Sequence, residues 1–120
     1  MAPAALILFY PAFSIQTRGW ELFGDKEKVE ALDKRGVALG PGYFKDIWDL
    51  DTYYEIAKYD GPVLILHGDE DDVVPIDCSK KALSVYKNAE FKIIKGAGHG
   101  FFNETGEYAD RLVVDFLKAL

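Results

Sequence analysis

Three short apolar runs along the chain predict strands, and amphipathic segments that follow the second and third runs predict helices. Residues 4–10 and 62–66 are continuously apolar, and residues 90–94 repeat the pattern more weakly. Runs without polar alternation are typical of strands that are covered on both faces of a parallel sheet. Residues 77–86, between the second and third runs, predict a helix. This part of the chain therefore has the pattern of a βαβ unit.

Two helices are predicted after the second and third strands. Asp77 is the candidate N-cap of the first, and Asn103 is the candidate cap of the second, over residues 104–120. Both helices have an apolar face that we expect to pack on the sheet. In the first helix the face consists of Ala82, Leu83 and Tyr86. In the second it consists of Tyr108, Leu112, Val113, Phe116 and Leu117.

Residues 14–59 lack a strand pattern and are interpreted as an insertion. Residues 26–35 predict an exposed helix, residues 36–43 a glycine-rich loop, and residues 46–59 a partly buried helix. Aromatic side chains are concentrated here and could form a lid over an apolar or aryl ligand. The alternative is that they pack the insertion onto the rest of the protein. The candidate substrate-binding residues are Trp20, Tyr43, Phe44 and Trp48.

Composition narrows the class of protein. With 120 residues, 49% hydrophobic residues and a net charge of −6, the chain predicts one soluble globular domain that binds neither nucleic acid nor anionic membranes. The apolar residues 1–13 are too few to span a bilayer and lack a basic leader, so we interpret them as a strand. The single cysteine, Cys78, excludes an internal disulfide, and we expect a small buried side chain and a cytoplasmic location.

Candidate chemistry lies in two loops that each follow an apolar strand. His99 is flanked by Gly98 and Gly100, and so tight and bare a loop suits a histidine that transfers protons to a substrate. Asp71 lies in the other loop and is its candidate partner. Asp71 has three other interpretations: a solvated loop acid, a helix cap, or a cation ligand together with Asp69, Glu70 and Asp72. The spacing does not fit an EF-hand, and we expect neither a metal nor a cofactor.

The segments His67-Gly68-x-x-Asp71-x-x-Val74-Pro75 and Gly96-x-Gly98-His99-Gly100-Phe101 resemble the C-terminal part of an α/β-hydrolase. Their spacing is most similar to bacterial carboxylesterases of the cinnamoyl or feruloyl esterase kind, with dienelactone hydrolases and monoacylglycerol lipases as more distant relatives. The resemblance implies a partial α/β-hydrolase fold, with about three parallel strands, flanking helices and a helical cap insertion at residues 14–59. Residues 4–10, 62–66 and 90–94 would be the sixth, seventh and eighth strands of the full fold.

The same resemblance implies that Asp71 and His99 are the acid and base of a Ser-His-Asp triad that hydrolyses carboxylic esters. In such a triad the imidazole takes the proton of the serine and returns it to the leaving alcohol, while the carboxylate orients the imidazole. The order of acid before base also fits α/β-hydrolases. His67 would be a packed, hydrogen-bonded structural histidine.

A nucleophile elbow of the form Gly-x-Ser-x-Gly does not occur in the sequence. None of its serines, Ser14, Ser79 and Ser84, has a glycine two residues away. We therefore expect the chain to be inactive alone and to act on a small ester only when a complementary part supplies the serine. The alternatives are an inactive, independently folding fragment and a ligand-binding module. Residues 4–10 would form an exposed sheet edge, which predicts a homo-oligomer.

Overall fold

In the computed structural model, which describes residues 2–14 and 48–120, the three apolar runs form a parallel sheet. The strands are β1 (Leu6–Phe9), β2 (Val63–Gly68) and β3 (Ala89–Ile94), in that order across the sheet. Helices flank the sheet. The predicted α/β architecture with about three parallel strands is thereby confirmed.

The central strand β2 is buried along its whole length, as its uninterrupted apolar sequence predicts. Alternate residues point to opposite faces of a strand, so β2 contributes to an apolar cluster on each side of the sheet. One cluster contains Leu64, Leu66, Ile94, Ala97, Ala109 and Phe116. The other contains Val63, Ile65, Ala82 and Tyr86.

Two helices of the described part precede β3 in the chain. The short helix α1 extends over Thr52–Ile56, and helix α2 extends over Ile76–Val85. The predicted cap at Asp77 is wrong: Pro75 occupies the N-cap position, and Asp77 lies in the first turn. Proline fixes its own backbone and needs no amide partner, so the helix begins directly after it. Leu83, predicted on the apolar face, is exposed, because α2 buries only Cys78, Ser79 and Ala82.

Helix α3 extends over Glu104–Lys118. Asn103 occupies the N-cap position, as predicted, but its φ is +53° and its side chain makes no capping hydrogen bond. The side chain that bonds to the backbone at the start of α3 is that of Thr105. Its hydroxyl accepts a hydrogen bond from the Phe102 amide (3.0 Å) and donates one to the Phe102 carbonyl oxygen (2.8 Å). Tyr108 and Leu117 are exposed, so the buried stripe is narrower than predicted and consists of Ala109, Leu112, Val113 and Phe116.

The chain divides into two compact units, one of Met1–Phe13 and Tyr53–Leu120 and the other of Ser14–Thr52. Of the predicted helix at residues 46–59, the described part is helical only in α1. The predictions for residues 26–35 and 36–43, and the candidate ligand residues Trp20, Tyr43 and Phe44, lie outside the described residues.

Candidate active site

The loops after β2 and β3 meet because parallel strands end at the same edge of a sheet. A Cβ atom at Gly68 would lie 2.1 Å from the Ala97 carbonyl oxygen, so only glycine allows this approach. The Glu70 amide donates to that same carbonyl oxygen (2.9 Å), and the Gly96 amide donates to Asp69 Oδ1 (2.7 Å). These contacts tie the loop that carries His99 to the loop that carries Asp71.

The carboxylate of Asp71 is buried and fully engaged. Oδ1 accepts hydrogen bonds from the amides of Val73 (2.9 Å) and Val74 (2.8 Å), and Oδ2 accepts one from Nδ1 of His99 (2.9 Å). The side chain has 0% exposure. This environment differs from that of a solvated loop acid, which was one of the interpretations left open by the sequence.

The pKa of Asp71 lies below its ordinary value. Burial by itself would raise this pKa, but the Val74 amide, the His99 side chain and the Val73 amide all stabilise the ionised form, and the charge of His99 acts in the same direction. Asp71 is therefore a carboxylate at neutral pH. A carboxylate in this position holds the bonded imidazole nitrogen as an N–H donor.

His99 is the accessible member of the pair, with 33% of its side chain exposed. Its Nδ1 is used by Asp71, and Nε2 has no hydrogen-bond partner among residues 2–14 and 48–120. Nε2 is therefore unprotonated in the neutral ring and free to accept a proton from an incoming group. The geometry suits a general base that a buried carboxylate orients.

Tyr10 is a site residue that the sequence analysis assigned only to the end of a strand. Its ring centroid lies 4.6 Å from that of His99 and 4.9 Å from that of Phe101. Tyr10 has a positive φ of 38°, and its amide donates to the Leu66 carbonyl oxygen (2.7 Å). The sequence signal was an aromatic residue at the carboxyl end of a strand that neighbours β2, directly before Pro11.

His67 lies at the end of β2 and is fully buried. Its Nδ1 is 2.6 Å from the hydroxyl of Ser79, and its Nε2 is 2.8 Å from the carbonyl oxygen of Val74. Cys78 is buried, as predicted. In the described part of the chain no serine hydroxyl is bonded to His99, since Ser79 is bonded to His67 and Ser84 to the Lys81 carbonyl oxygen.

The acidic cluster of the Asp71 loop does not converge on one point. Over the described ranges, 2–14 and 48–120, no group of three or more His, Cys, Asp and Glu side chains is arranged to hold a metal ion. Asp69 and Asp71 instead bond to amides and to His99.

No helix in the described part of the chain is long and apolar enough to cross a membrane. Trp48 is half-buried and belongs to the other compact unit.

Comparison with known proteins places this geometry in a family. The family model described as "Dienelactone hydrolase family" matches residues 50–116, which is more than half of the chain and includes both loops. The chain belongs to the dienelactone hydrolase family. The match agrees with the resemblance to α/β-hydrolases drawn from the two loop motifs.

Several members of the wider fold are similar to the chain. The structure of Est1E from Butyrivibrio proteoclasticus with bound ferulic acid superposes with a TM-score of 0.78 at 27% identity, over 96% of this chain and 49% of Est1E. Among curated proteins, the non-heme chloroperoxidase CPO-A1 of Kitasatospora aureofaciens is 39% identical over 57% of this chain and 26% of its own length. The putative carbamate hydrolase RutD of Caulobacter vibrioides is 29% identical over 93% of this chain and 41% of its own length. The chain thus spans about half or less of each.

Proposed function

We propose that this chain supplies the acid and the base of a serine ester hydrolase, with Asp71 as the acid and His99 as the base. One observation carries the proposal: a fully buried carboxylate lies 2.9 Å from Nδ1 of an imidazole whose side chain is one-third exposed. This combination leaves Nε2, which has no partner in the described part of the chain, available to a substrate or a nucleophile. Family membership supports a hydrolase.

The proposed chemistry is acyl transfer through His99 Nε2. A serine Oγ attacks the ester carbonyl carbon while Nε2 takes its proton, and the tetrahedral adduct expels the alcohol, which receives that proton. Water then attacks the acyl-enzyme through the same base, releasing the carboxylic acid and restoring the serine. Asp71 keeps His99 in the Nδ1–H form and stabilises the transient imidazolium. Because this chain contains no nucleophile elbow, the serine would be supplied by a complementary polypeptide.

We propose a small carboxylic ester as the substrate. The similarity to Est1E, whose structure contains ferulic acid, supports an ester with an aromatic acyl group. The half-buried ring of Tyr10 lies beside His99 and against the half-buried ring of Phe101, and the part of these rings that stays accessible offers an apolar surface for such a group. Ligand binding by Trp20, Tyr43, Phe44 and Trp48 stays a prediction.

The test is complementation with the part of Est1E that this chain does not match. The two polypeptides are co-expressed, the complex is purified, and hydrolysis of p-nitrophenyl acetate and methyl ferulate is measured. We expect no hydrolysis by the chain alone and measurable hydrolysis by the complex. His99→Ala should lower the rate of the complex by at least a thousandfold, and Asp71→Asn by roughly ten-thousandfold, because the imidazole loses its orienting carboxylate.

Asp72→Asn is the matched control, since Asp72 is the exposed neighbour of Asp71 in the same loop. It should leave the rate of the complex unchanged. An assembled complex that fails to hydrolyse either ester would contradict the proposal. Hydrolysis by the isolated chain that depends on His99 would contradict the claim that the chain needs a nucleophile from elsewhere.

We also propose that the isolated chain self-associates through β1. Among the described strands β1 pairs only with β2, and its residues are half-buried or exposed. An apolar strand with one unpaired edge is a template for pairing with a second copy. Light scattering at micromolar concentration should give at least the mass of a dimer, and a stable monomer would refute this proposal.

We further propose a cytoplasmic location. The free, buried thiol of Cys78 supports a reducing compartment.

A further inference from the structure

We infer that His67 is a positioning residue of the candidate site, which holds the carboxylate of Asp71 in place at the oxygen that His99 also contacts. Nε2 of His67 lies 3.1 Å from Asp71 Oδ2, the same oxygen that accepts the hydrogen bond of His99. Two imidazoles therefore flank one carboxylate oxygen. The inference rests on the proposed function only where it treats Asp71 and His99 as acid and base.

The neighbours of His67 determine which of its nitrogens carries the proton. Nε2 faces the Val74 carbonyl oxygen (2.8 Å) and the Asp71 carboxylate (3.1 Å), and neither group can donate a hydrogen bond. Nε2 must therefore be the protonated nitrogen. Nδ1 then accepts a hydrogen bond from the Ser79 hydroxyl at 2.6 Å. Because His99 contacts Asp71 through Nδ1, the two histidines are in opposite tautomeric forms.

The ring of His67 closes the loop that contains Asp71. His67 is the penultimate residue of β2, and its side chain holds the carbonyl group of Val74 at the far end of the loop. The amide of Val74 in turn donates to Asp71 Oδ1. A displacement of the His67 ring would therefore affect both oxygens of Asp71. It would reach Oδ1 through the backbone of Val74, and Oδ2 through the direct contact.

Ser79 anchors His67 in turn. Ser79 and His67 are the fully buried polar residues of the described core, and each satisfies the other. Such pairs are costly to break because a buried polar atom without a partner is unfavourable. The chain of contacts runs from Ser79 on α2 through His67 on β2 to Asp71 and ends at His99.

Nitrogen-15 NMR of the labelled 120-residue chain tests the inference without any catalysis. The sequence contains two histidines, so the spectrum has two imidazole systems, which His99→Ala assigns. We expect His67 as the Nε2–H tautomer and His99 as the Nδ1–H tautomer at neutral pH. His67 in the Nδ1–H form, or protonated on both nitrogens, would overturn the inference.

The positioning role is tested by the exchange of the His99 Nδ1 proton with water. His67→Leu, which has similar bulk but no donor, should speed this exchange roughly tenfold or more, because the loop that holds Asp71 loses a hydrogen bond. His67→Gln should restore slow exchange, because its amide can donate to Val74. Unchanged exchange in a folded His67→Leu protein would overturn the role.

Ser79→Ala covers the case in which His67→Leu does not fold. It removes the partner of His67 Nδ1, so the Nδ1 resonance should shift and the exchange of the His99 proton should accelerate. Ser84→Ala is the matched control, since Ser84 lies on the same helix, is exposed and, among the described residues, bonds only to the Lys81 carbonyl oxygen. Equal spectra for the two serine variants would overturn the inference. Because no nucleophile takes part, these results are independent of the complementation assay.

Discussion

Asp71 and His99 meet at one hydrogen bond, yet the two sides of that bond are held very differently. The carboxylate of Asp71 is fully buried, accepts three hydrogen bonds and lies against His67. The imidazole of His99 is one-third exposed. It bonds to Asp71 through one nitrogen and also contacts the ring of Tyr10. The acid is fixed, and the base is accessible.

This contrast suits proton transfer. A buried carboxylate that accepts three hydrogen bonds is held in one orientation, whereas an imidazole bonded at one nitrogen keeps its other nitrogen accessible to a nucleophile. The loop of the base also depends on the loop of the acid, since Gly96 is bonded to Asp69 and Ala97 to Glu70. Each loop donates one of these hydrogen bonds to the other, so a defect in either loop should affect both.

The largest effect is expected at the contact between the loops. Gly68→Ala places a Cβ atom 2.1 Å from the Ala97 carbonyl oxygen, a backbone atom that cannot move aside cheaply. We expect a loss of about 3 kcal/mol in the free energy of unfolding, measured by urea titration. Gly98→Ala is the control, because its Cβ would meet only the Glu70 carbonyl oxygen at an ordinary 3.7 Å. Equal losses in both variants would show that the close approach of the loops is not tight.

Asp71→Asn should have the next largest effect and adds a pH dependence. The asparagine oxygen can still accept from the Val73 and Val74 amides, but its NH2 group cannot accept the hydrogen bond of His99 Nδ1, so we expect a loss of about 2 kcal/mol in the free energy of unfolding at pH 7. The pKa of Asp71 is lowered in the folded state, so the unfolded chain binds its proton more readily. The stabilisation by Asp71 is complete above about pH 5 and declines as the pH falls below about 4.

The difference between wild type and Asp71→Asn should therefore shrink when unfolding is measured from pH 7 down to pH 3. Asp72→Asn supplies the baseline for removing one exposed negative charge from the same loop. A difference that stays constant over this range would mean that the ionised form of Asp71 is not the one that the fold stabilises.

Sequence patterns predicted what depends on repetition along the chain. The continuous apolar run before His67 predicted a buried central strand, and the parallel arrangement brought Asp71 and His99 to one edge. The stripe on α3 was predicted too wide, because Tyr108 and Leu117 extend past the face that the sheet covers. Periodicity gives the direction of a side chain, but not the width of the surface opposite it.

Contacts set by one turn or one dihedral angle were not predictable. Pro75 instead of Asp77 occupies the N-cap position of α2, and Asn103 is the N-cap residue of α3 but makes no capping hydrogen bond with its side chain. The contact between His67 and Asp71 depends on how the loop of residues 69–75 folds back on the end of β2. Tyr10 reaches His99 only because its backbone turns out of the strand with a positive φ.

The smallest effect is expected on the side of the base, at Tyr10. A φ of 38° is unfavourable for any residue with a Cβ atom, and the Tyr10 amide is nevertheless held by the Leu66 carbonyl oxygen at 2.7 Å. Tyr10→Ala and Tyr10→Gly both remove the ring from His99, so their difference isolates the backbone. We expect Tyr10→Gly to be more stable than Tyr10→Ala by about 1 kcal/mol in urea titrations. If the alanine variant proves the more stable, the backbone at position 10 is not strained in the folded protein, and the positive φ of Tyr10 carries no energetic cost.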